Sequence, residues 1–274
     1  MRTRHREFLR EDIGSGDITS ELVVPADAMA KGTIAAKEDC VLAGVSDAAA
    51  VFEELGAEAV VLVEDGSHVK AGQKVLAVSG TARSLLAGER LALNLVMRMS
   101  GIATLTDELV TKARKSNPNV RVAATRKTTP GFREFEKRAV VLGGGDPHRF
   151  GLDDAILIKD NHIRIAGGVE EALRRAKRSS FTKKVEIEVE NERDALLAVE
   201  GGADIVMLDN FSPEEAKRLH DKVKALRPGV LVEVSGRVRP ENIEAYAPAA
   251  DIVSVGYITH SARSVDFSMT IEGA

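Results

Sequence analysis

The chain has 274 residues, of which 44% are hydrophobic and 29% charged, and its formal net charge is −4. This length allows one large barrel or two modest domains, and the acidic balance argues against general nucleic-acid binding. No apolar run is long enough to span a membrane, and the charged N-terminal segment lacks the apolar core of a secretory signal. Because Cys40 is the single cysteine, no intrachain disulfide can form, and we expect a cytoplasmic protein.

The first eighty residues predict an α+β scaffold. A short helix and a turn-rich segment up to about residue 25 precede a strand–turn–strand pattern at 31–45, a helix at 47–56 and short strands at 57–80. The last segment resembles the hairpin of biotinyl- and lipoyl-carrier domains. Such a hairpin carries its attachment Lys at the apex, whereas the apex here is Glu64-Asp65-Gly66-Ser67. The pattern therefore favours an open-faced β-sandwich over a carrier.

Residues 84–116 predict two helices that meet near Gly101, because glycine interrupts the helical pattern there. Leu86, Leu93 and Val96 form an apolar face on the first of these helices. Arg90 falls close to that face, where an arginine is usually a surface residue whose stem lies on apolar neighbours.

From Val120 onward, apolar strands alternate with amphipathic helices at 20 to 30 residues per repeat. The strand patterns are VRVAATRK, DAILIKD, KKVEIEVE, ADIVMLDN, VLVEVSG and ADIVSVGY. This rhythm predicts a parallel sheet covered by helices. An early GxGxxG motif of a doubly wound sheet is missing, so we predict an α/β fold with an incomplete TIM-like barrel. The predicted domains are 1–103 (N-terminal α+β sandwich) and 104–262 (barrel), with the alternating tail 263–274 returning to the first domain.

Cationic side chains follow the strands and a glycine-rich loop of this predicted barrel. Arg126 and Lys127 end one strand, Lys159 ends the next, and His148 and Arg149 follow the run Gly143-Gly144-Gly145. Lysine and arginine are rarely buried without a partner, and catalytic side chains sit at the C-terminal ends of barrel strands. The spacing therefore predicts an anion site.

Two acids and two glycine-containing loops complete the predicted site. Glu188 and Asp209 end neighbouring strands, where they could form structural salt bridges or bind Mg²⁺ and ribose hydroxyls through hard oxygen ligands. No cluster of His and Cys suggests zinc. The last two strand ends, Ser235-Gly236-Arg237 and Gly256-Tyr257-Ile258, occupy the usual phosphate position of barrels.

These motifs resemble the quinolinate phosphoribosyltransferase family over nearly the whole chain, from Asp12 to Ser261. The resemblance is carried by Thr125-Arg126-Lys127-Thr128-Thr129-Pro130-Gly131, Gly143-Gly144-Gly145, His148-Arg149, Leu157-Ile158-Lys159-Asp160-Asn161-His162 and Thr259-His260-Ser261. The chain departs from the family pattern at two positions. Ala124 stands where members commonly have Asp, and Pro147 stands where they commonly have Asn.

The resemblance implies an enzyme that transfers phosphoribosyl from phosphoribosyl pyrophosphate to quinolinate with decarboxylation, using Mg²⁺ delivered with that substrate. It implies Lys127, Glu188 and Asp209 as catalytic residues, the last two as metal ligands, and a homodimer whose active sites are shared, with Arg90 reaching the neighbouring subunit's substrate. The other implied substrate-binding residues are Thr125, Arg126, His148, Arg149, Lys159, Ser235, Gly236, Arg237, Gly256, Tyr257, Ile258 and His260. Three alternatives stay open: a molybdenum-transport-associated paralogue, a Schiff-base aldolase using Lys159, and a non-catalytic binding module.

Overall fold

The computed structural model describes residues 2–179 and 181–273. The strands are β1 (Met29–Ala36), β2 (Cys40–Val41), β3 (Glu58–Val61), β4 (His68–Val69), β5 (Lys74–Thr81), β6 (Arg121–Ala123), β7 (Ile156–Ile158), β8 (Val185–Val189), β9 (Ile205–Asp209), β10 (Leu231–Ser235), β11 (Ile252–Ser254) and β12 (Phe267–Gly273). The helices are α1 (Arg2–Ile13), α2 (Ile18–Val23), α3 (Val45–Glu54), α4 (Ala82–Ser116), α5 (Arg133–Leu142), α6 (Asp160–Ala166), α7 (Val169–Ala176), α8 (Glu192–Glu200), α9 (Pro213–Leu226), α10 (Ile243–Tyr246) and α11 (Tyr257–His260), with a 3₁₀ turn at Ala247–Ala249.

Packing divides the chain into two compact units. The first comprises the chain up to Leu105, residues 141–143 and the chain from Ala262 onward, and the second comprises Thr106–Val140 and Gly144–Ser261. Among the described residues, no helix has both the length and the hydropathy needed to cross a bilayer.

The first unit is built on an antiparallel sheet of four strands in the order β12-β1-β5-β3. Along β1 and β5, buried residues alternate with more exposed ones, as in a sheet that is covered on one face. Helix α3 packs on β3 and β5, and its apolar side buries Val45, Ala48 and Phe52. The predicted open-faced α+β sandwich is confirmed.

The second unit contains a parallel sheet in the order β6-β11-β10-β9-β8-β7. Asp146 adds one parallel bridge beside Ala123 at the β6 edge. If the barrel were closed, this edge would meet β7, so the arrangement is the predicted incomplete TIM-like barrel. Five helices, α5 and α7 to α10, alternate with the strands. The predicted start of α9 is also observed, since the Ser212 side chain accepts the N–H of Glu215 and Pro213 is the first helical residue.

The prediction of two helices meeting at Gly101 is wrong, because α4 is one continuous helix of 35 residues. The glycine serves a long-range contact instead of a break. A Cβ atom at Gly101 would overlap the backbone carbonyl of Arg263, so only glycine lets the segment before β12 lie against this helix.

Candidate active site

A cavity of about 460 Å³ opens where the parallel strands end. Because side chains alternate along a strand, residues two apart share a face, and the last inward-facing positions of β8, β9 and β10 reach the same space. The predicted site residues that line the cavity are Thr125, Arg126, Lys127, His148, Arg149, Lys159, Glu188, Asp209 and Ser235, and they are joined by Ala124, Leu157, Met207, Glu233 and Ser254.

One wall of the cavity is cationic and comes from two loops. We call residues 124–131 the arginine loop and residues 146–150 the histidine loop. The Nε atom of Arg126 is buried and has no hydrogen-bond partner among the described residues. The neighbouring Arg149 is buried too, and this burial, followed by the charge of Arg126, lowers its pKa. Crowded cations with an unsatisfied donor leave this wall suited to a ligand with more than one negative charge.

An acidic wall of the cavity begins with an ion pair. The Lys159 ammonium lies 2.5 Å from Glu188 Oε2, and Lys159 keeps 43% of its side chain exposed. The backbone N–H of Lys159 donates to Nδ1 of His162 (2.9 Å). His162, the histidine of the sequence KDNH, therefore helps to fix the backbone at Lys159. Beside the pair, burial and then the charge of Glu188 raise the pKa of Asp209. Neighbouring carboxylates, one of which is held towards its neutral form by burial and by the charge of the other, fit a site for a divalent cation.

A second pair of acids, which the sequence reasoning missed, lies beneath the cationic wall. Glu186 and Glu233 are both buried, and their carboxylates lie 3.6 Å and 3.4 Å from Nε2 of His148. Burial, and then the charge of Glu233, raises the pKa of Glu186 to about 8. For His148, burial opposes protonation, but the hydrogen bond to Glu233 and the charges of both acids raise its pKa overall. These three residues also form the cluster with metal-ligand spacing found among the described residues.

Among the described residues, three residues other than glycine have a left-handed backbone, and each lies in a loop next to the cavity or after a strand. They are His148 (φ 52°), Asn210 (φ 61°) and Arg237 (φ 55°). Gly236 beside Arg237 is left-handed as well (φ +94°), and a Cβ atom there would lie 2.8 Å from the backbone nitrogen of Asn210. The loops after β9 and β10 are therefore in close contact through backbone, and the Asn210 N–H donates to the Ser235 carbonyl at 3.0 Å.

The remaining predicted site residues are not part of the cavity lining in the described part of the chain. Gly256 lies against the Lys127 side chain, and the Thr259 hydroxyl donates to the Lys127 carbonyl (2.7 Å), so α11 supports the arginine loop. Ile258 is fully buried, so it belongs to the core and not to the cavity surface. The other residues outside the lining are Gly236, Arg237, Tyr257, His260 and Arg90.

Arg90 is an exposed residue of α4 in the first unit. It lines a separate groove there together with Asp12, Gly16, Asp17 and Leu86. Around this groove, Ile18 and Leu22 of α2 expose 72% and 80% of their surface. An arginine beside such an apolar surface is typical of a protein–protein contact.

Comparison with protein families and known proteins shows similarity over nearly the whole chain. Residues 17–100 match the family model "Quinolinate phosphoribosyl transferase, N-terminal domain", and residues 102–270 match the C-terminal domain of the same family. A probable nicotinate-nucleotide pyrophosphorylase [carboxylating] of Methanothermobacter thermautotrophicus is 47% identical over 98% of both chains. The nicotinate-nucleotide pyrophosphorylase [carboxylating] of Homo sapiens is 39% identical over 96% of this chain and 89% of its own.

Two solved structures are also similar to this chain over nearly its full length. NadC from Streptococcus pyogenes has a TM-score of 0.92 at 38% identity and covers 99% of this chain and 96% of its own. The nicotinate-nucleotide pyrophosphorylase from Francisella tularensis has a TM-score of 0.92 at 39% identity and covers 99% of this chain and 95% of its own.

Proposed function

The chain belongs to the quinolinate phosphoribosyltransferase family, and on that premise we propose that it transfers phosphoribosyl from phosphoribosyl pyrophosphate to quinolinate. The products are nicotinate mononucleotide, pyrophosphate and CO₂. The observation that supports this function best is the cavity itself, whose lining combines crowded cations with two neighbouring carboxylates.

The cationic wall suits the two adjacent carboxylates of quinolinate. Arg126 offers a buried donor that has no partner among the described residues, and Arg149 and His148 lie in the neighbouring loop. Arginine matches a carboxylate with two parallel hydrogen bonds, and lysine adds a point charge. We assign Arg126, Arg149, His148 and Lys159 to the two carboxylates, with Thr125 beside them. A monocarboxylate would leave part of this wall unpaired.

The acidic wall suits the sugar diphosphate. Glu188 and Asp209 would hold Mg²⁺ together with ribose hydroxyls, and the ion would neutralise charge on the leaving pyrophosphate. Both carboxylates would also stabilise the positive charge that develops on the sugar ring as pyrophosphate leaves. We assign Lys127 to the diphosphate, and the backbone and side chains of Ser235, Gly236, Arg237, Gly256, Tyr257 and His260 to the 5′-phosphate end, leaving out the fully buried Ile258.

The bond changes then follow from the chemistry of the two substrates. The quinolinate ring nitrogen attacks the anomeric carbon, the bond to pyrophosphate breaks, and the ring becomes a pyridinium. Its positive nitrogen is bonded to the carbon that bears the C2 carboxylate, so its charge stabilises the electron pair that stays on that carbon when CO₂ departs. A proton then adds to that carbon, and no further cofactor is required.

We also propose a homodimer in which Arg90 reaches the quinolinate of the neighbouring subunit. The exposed apolar residues beside Arg90 support this arrangement, and a two-fold interface would make both sites alike. The single cysteine supports the proposed cytoplasmic location.

A specific observation argues against the Schiff-base alternative. Lys159 is ion-paired with Glu188 at 2.5 Å, whereas a Schiff base needs a neutral amine. The decisive experiment incubates the protein with phosphoribosyl pyrophosphate, Mg²⁺ and either quinolinate or nicotinate, and follows the release of pyrophosphate and CO₂. We expect turnover with quinolinate only. Equal use of both acids, or use of nicotinate alone, would refute the proposal, and substrate trapped on Lys159 by borohydride would favour the aldolase.

A further inference from the structure

Helix α5 does not line the cavity, yet it buries two charged side chains. Glu136 and Lys137 are both 0% exposed. Burying an ionised group without a partner is strongly destabilising, so a helix carries such residues only where they are hydrogen-bonded. Together with Arg133, these residues lie at positions i, i+3 and i+4 and therefore share one side of the helix.

Lys137 is bound by the backbone of the histidine loop. Its ammonium donates to the carbonyls of Pro147 and Arg149, the latter at 2.6 Å, and lies 3.5 Å from the carbonyl of His148. Three consecutive carbonyls converge on one atom only if the chain leaves regular geometry, and His148 is indeed left-handed. The side chain of Asp146 accepts the His148 N–H at 2.8 Å. Lys137 thus holds the part of the loop from which the His148 and Arg149 side chains project.

Glu136 and Arg133 hold the arginine loop in the same way. The Glu136 carboxylate accepts both the N–H and the hydroxyl of Thr129, each at 3.0 Å. Arg133 donates to the Thr128 hydroxyl at 2.9 Å and to the Phe150 carbonyl at 2.8 Å, so it bridges both loops. One turn of α5 is therefore the common anchor of the two loops.

The two loops need an anchor because they bring like charges together. The positive charges of Arg126 on one loop and Arg149 on the other repel each other, and this repulsion contributes to the lowered pKa of Arg149. In the free protein no substrate anion offsets the repulsion. A fixed attachment to a buried helix would keep the wall in its binding geometry before the substrate arrives, which improves affinity.

We propose that Lys137 and Glu136 are positioning residues for quinolinate: they do not touch it, but they fix the loops that carry its ligands. This inference rests on the proposed function. It assigns the specificity of the cationic wall partly to residues outside the cavity.

The test compares Lys137→Met with a matched control, Lys224→Met. Lys224 of α9 also donates to a loop carbonyl, that of Val230 at 2.8 Å, and pairs with Asp251 at 2.6 Å, but it does not line the cavity. Because small misplacement of binding groups can cost up to about 100-fold, we expect Lys137→Met to raise the KM for quinolinate about tenfold or more. The KM for phosphoribosyl pyrophosphate should change little. Lys224→Met should lower the melting temperature without affecting either KM. Lys137→Gln, which keeps an N–H donor, should fall between the wild type and Lys137→Met.

Two further measurements keep the test decisive. If Lys137→Met does not fold, Glu136→Gln replaces it, and we expect the same selective rise in the KM for quinolinate. The imidazole NMR signal of His148, recorded without substrate, should shift in the Lys137 variants while those of the other five histidines do not. A wild type that does not turn over quinolinate would remove the proposed function, whereas the NMR result would still report on the loop. An active wild type whose Lys137 and Lys224 variants show equal changes in both KM values, or an unmoved His148 signal, would overturn the inference.

Discussion

Replacing Lys159 with Met removes an ammonium group from the cavity and keeps most of the side chain's length. A hydrogen bond between charged groups contributes about 1.5 to 3 kcal/mol, which is the gross loss expected for one quinolinate carboxylate. In the free protein, however, Lys159 already pairs with Glu188 at 2.5 Å and is 43% exposed. Such a partly exposed pair is worth about 0.2 to 1 kcal/mol, and it must be broken or shared on binding. The net loss is then about 1 to 2 kcal/mol, or about 5- to 30-fold in quinolinate affinity.

Calorimetric titration with quinolinate measures this loss directly. The matched control is Lys217→Met on α9, because Lys217 forms an equally close pair with Asp221 and is 47% exposed. Both variants should keep the wild-type melting temperature, since exposed ion pairs contribute little to stability. Only Lys159→Met should lose affinity. Wild-type affinity in Lys159→Met would show that this lysine does not bind the substrate.

Breaking the Lys159–Glu188 ion pair from the side of Glu188 should have the opposite effect on quinolinate affinity. Glu188→Gln removes the competing partner of Lys159, so quinolinate affinity should stay the same or increase, by about fivefold at most. This increase should disappear when Lys159→Met is present in the same chain. A fall in quinolinate affinity comparable to that of Lys159→Met would mean that Glu188 holds the cation in place for the substrate.

Three other outcomes test separate parts of the proposal. Activity should disappear with EDTA and return with Mg²⁺, and Asp209→Asn should raise the KM for phosphoribosyl pyrophosphate more than that for quinolinate; activity that survives metal removal would contradict this role. At a quinolinate concentration too low for turnover by either variant alone, mixing Arg90→Ala and Lys159→Ala chains should restore about a quarter of the sites, since half the dimers would be mixed and each has one intact site; no recovery despite proven exchange would place Arg90 elsewhere. Burial raises the pKa of Cys40 to about 11, with Glu38 and Asp39 adding to the shift, so a thiol reagent at pH 8 should react only after unfolding, and rapid reaction of the native protein would show that the thiol is accessible.

The strand ends could be predicted from the sequence because parallel strands place their C-terminal ends at one edge. Once the apolar runs were identified, Arg126, Lys159, Glu188 and Asp209 had to lie near one another, and they all line the cavity. This inference needed only the order and direction of the strands.

The buried acids beneath His148 were missed although a signal was present. In the strand sequence VEIEV, Glu186 and Glu188 are two residues apart and must share a face. Glu233 occupies the corresponding face of β10. Sequence alone does not say that this face continues inward below the cavity, because an acid in a strand is more often directed to solvent.

The roles of Gly101 and Lys137 depend on segments distant in the chain or on irregular loops. Gly101 looks like a helix break, yet its contact is with Arg263, more than a hundred residues away. Lys137 looks like the polar side of an amphipathic helix, yet three carbonyls of an irregular loop surround it. Neither the periodicity of a helix nor its composition encodes these contacts.

The left-handed backbone of Arg237 has a consequence for engineering the protein for heat resistance. Arg237 adopts a positive φ that glycine would adopt without strain. For a residue other than Asn or Gly, this conformation costs roughly 1 to 2 kcal/mol, so Arg237→Gly could be selected in a screen for thermostability alone. The same variant would delete a side chain that we assign to the substrate. His148 is also left-handed, but glycine there would leave the buried Glu186 and Glu233 without their partner and would destabilise the protein. A stabilised form is therefore better obtained by leaving these positions unchanged and mutating surface residues remote from the cavity.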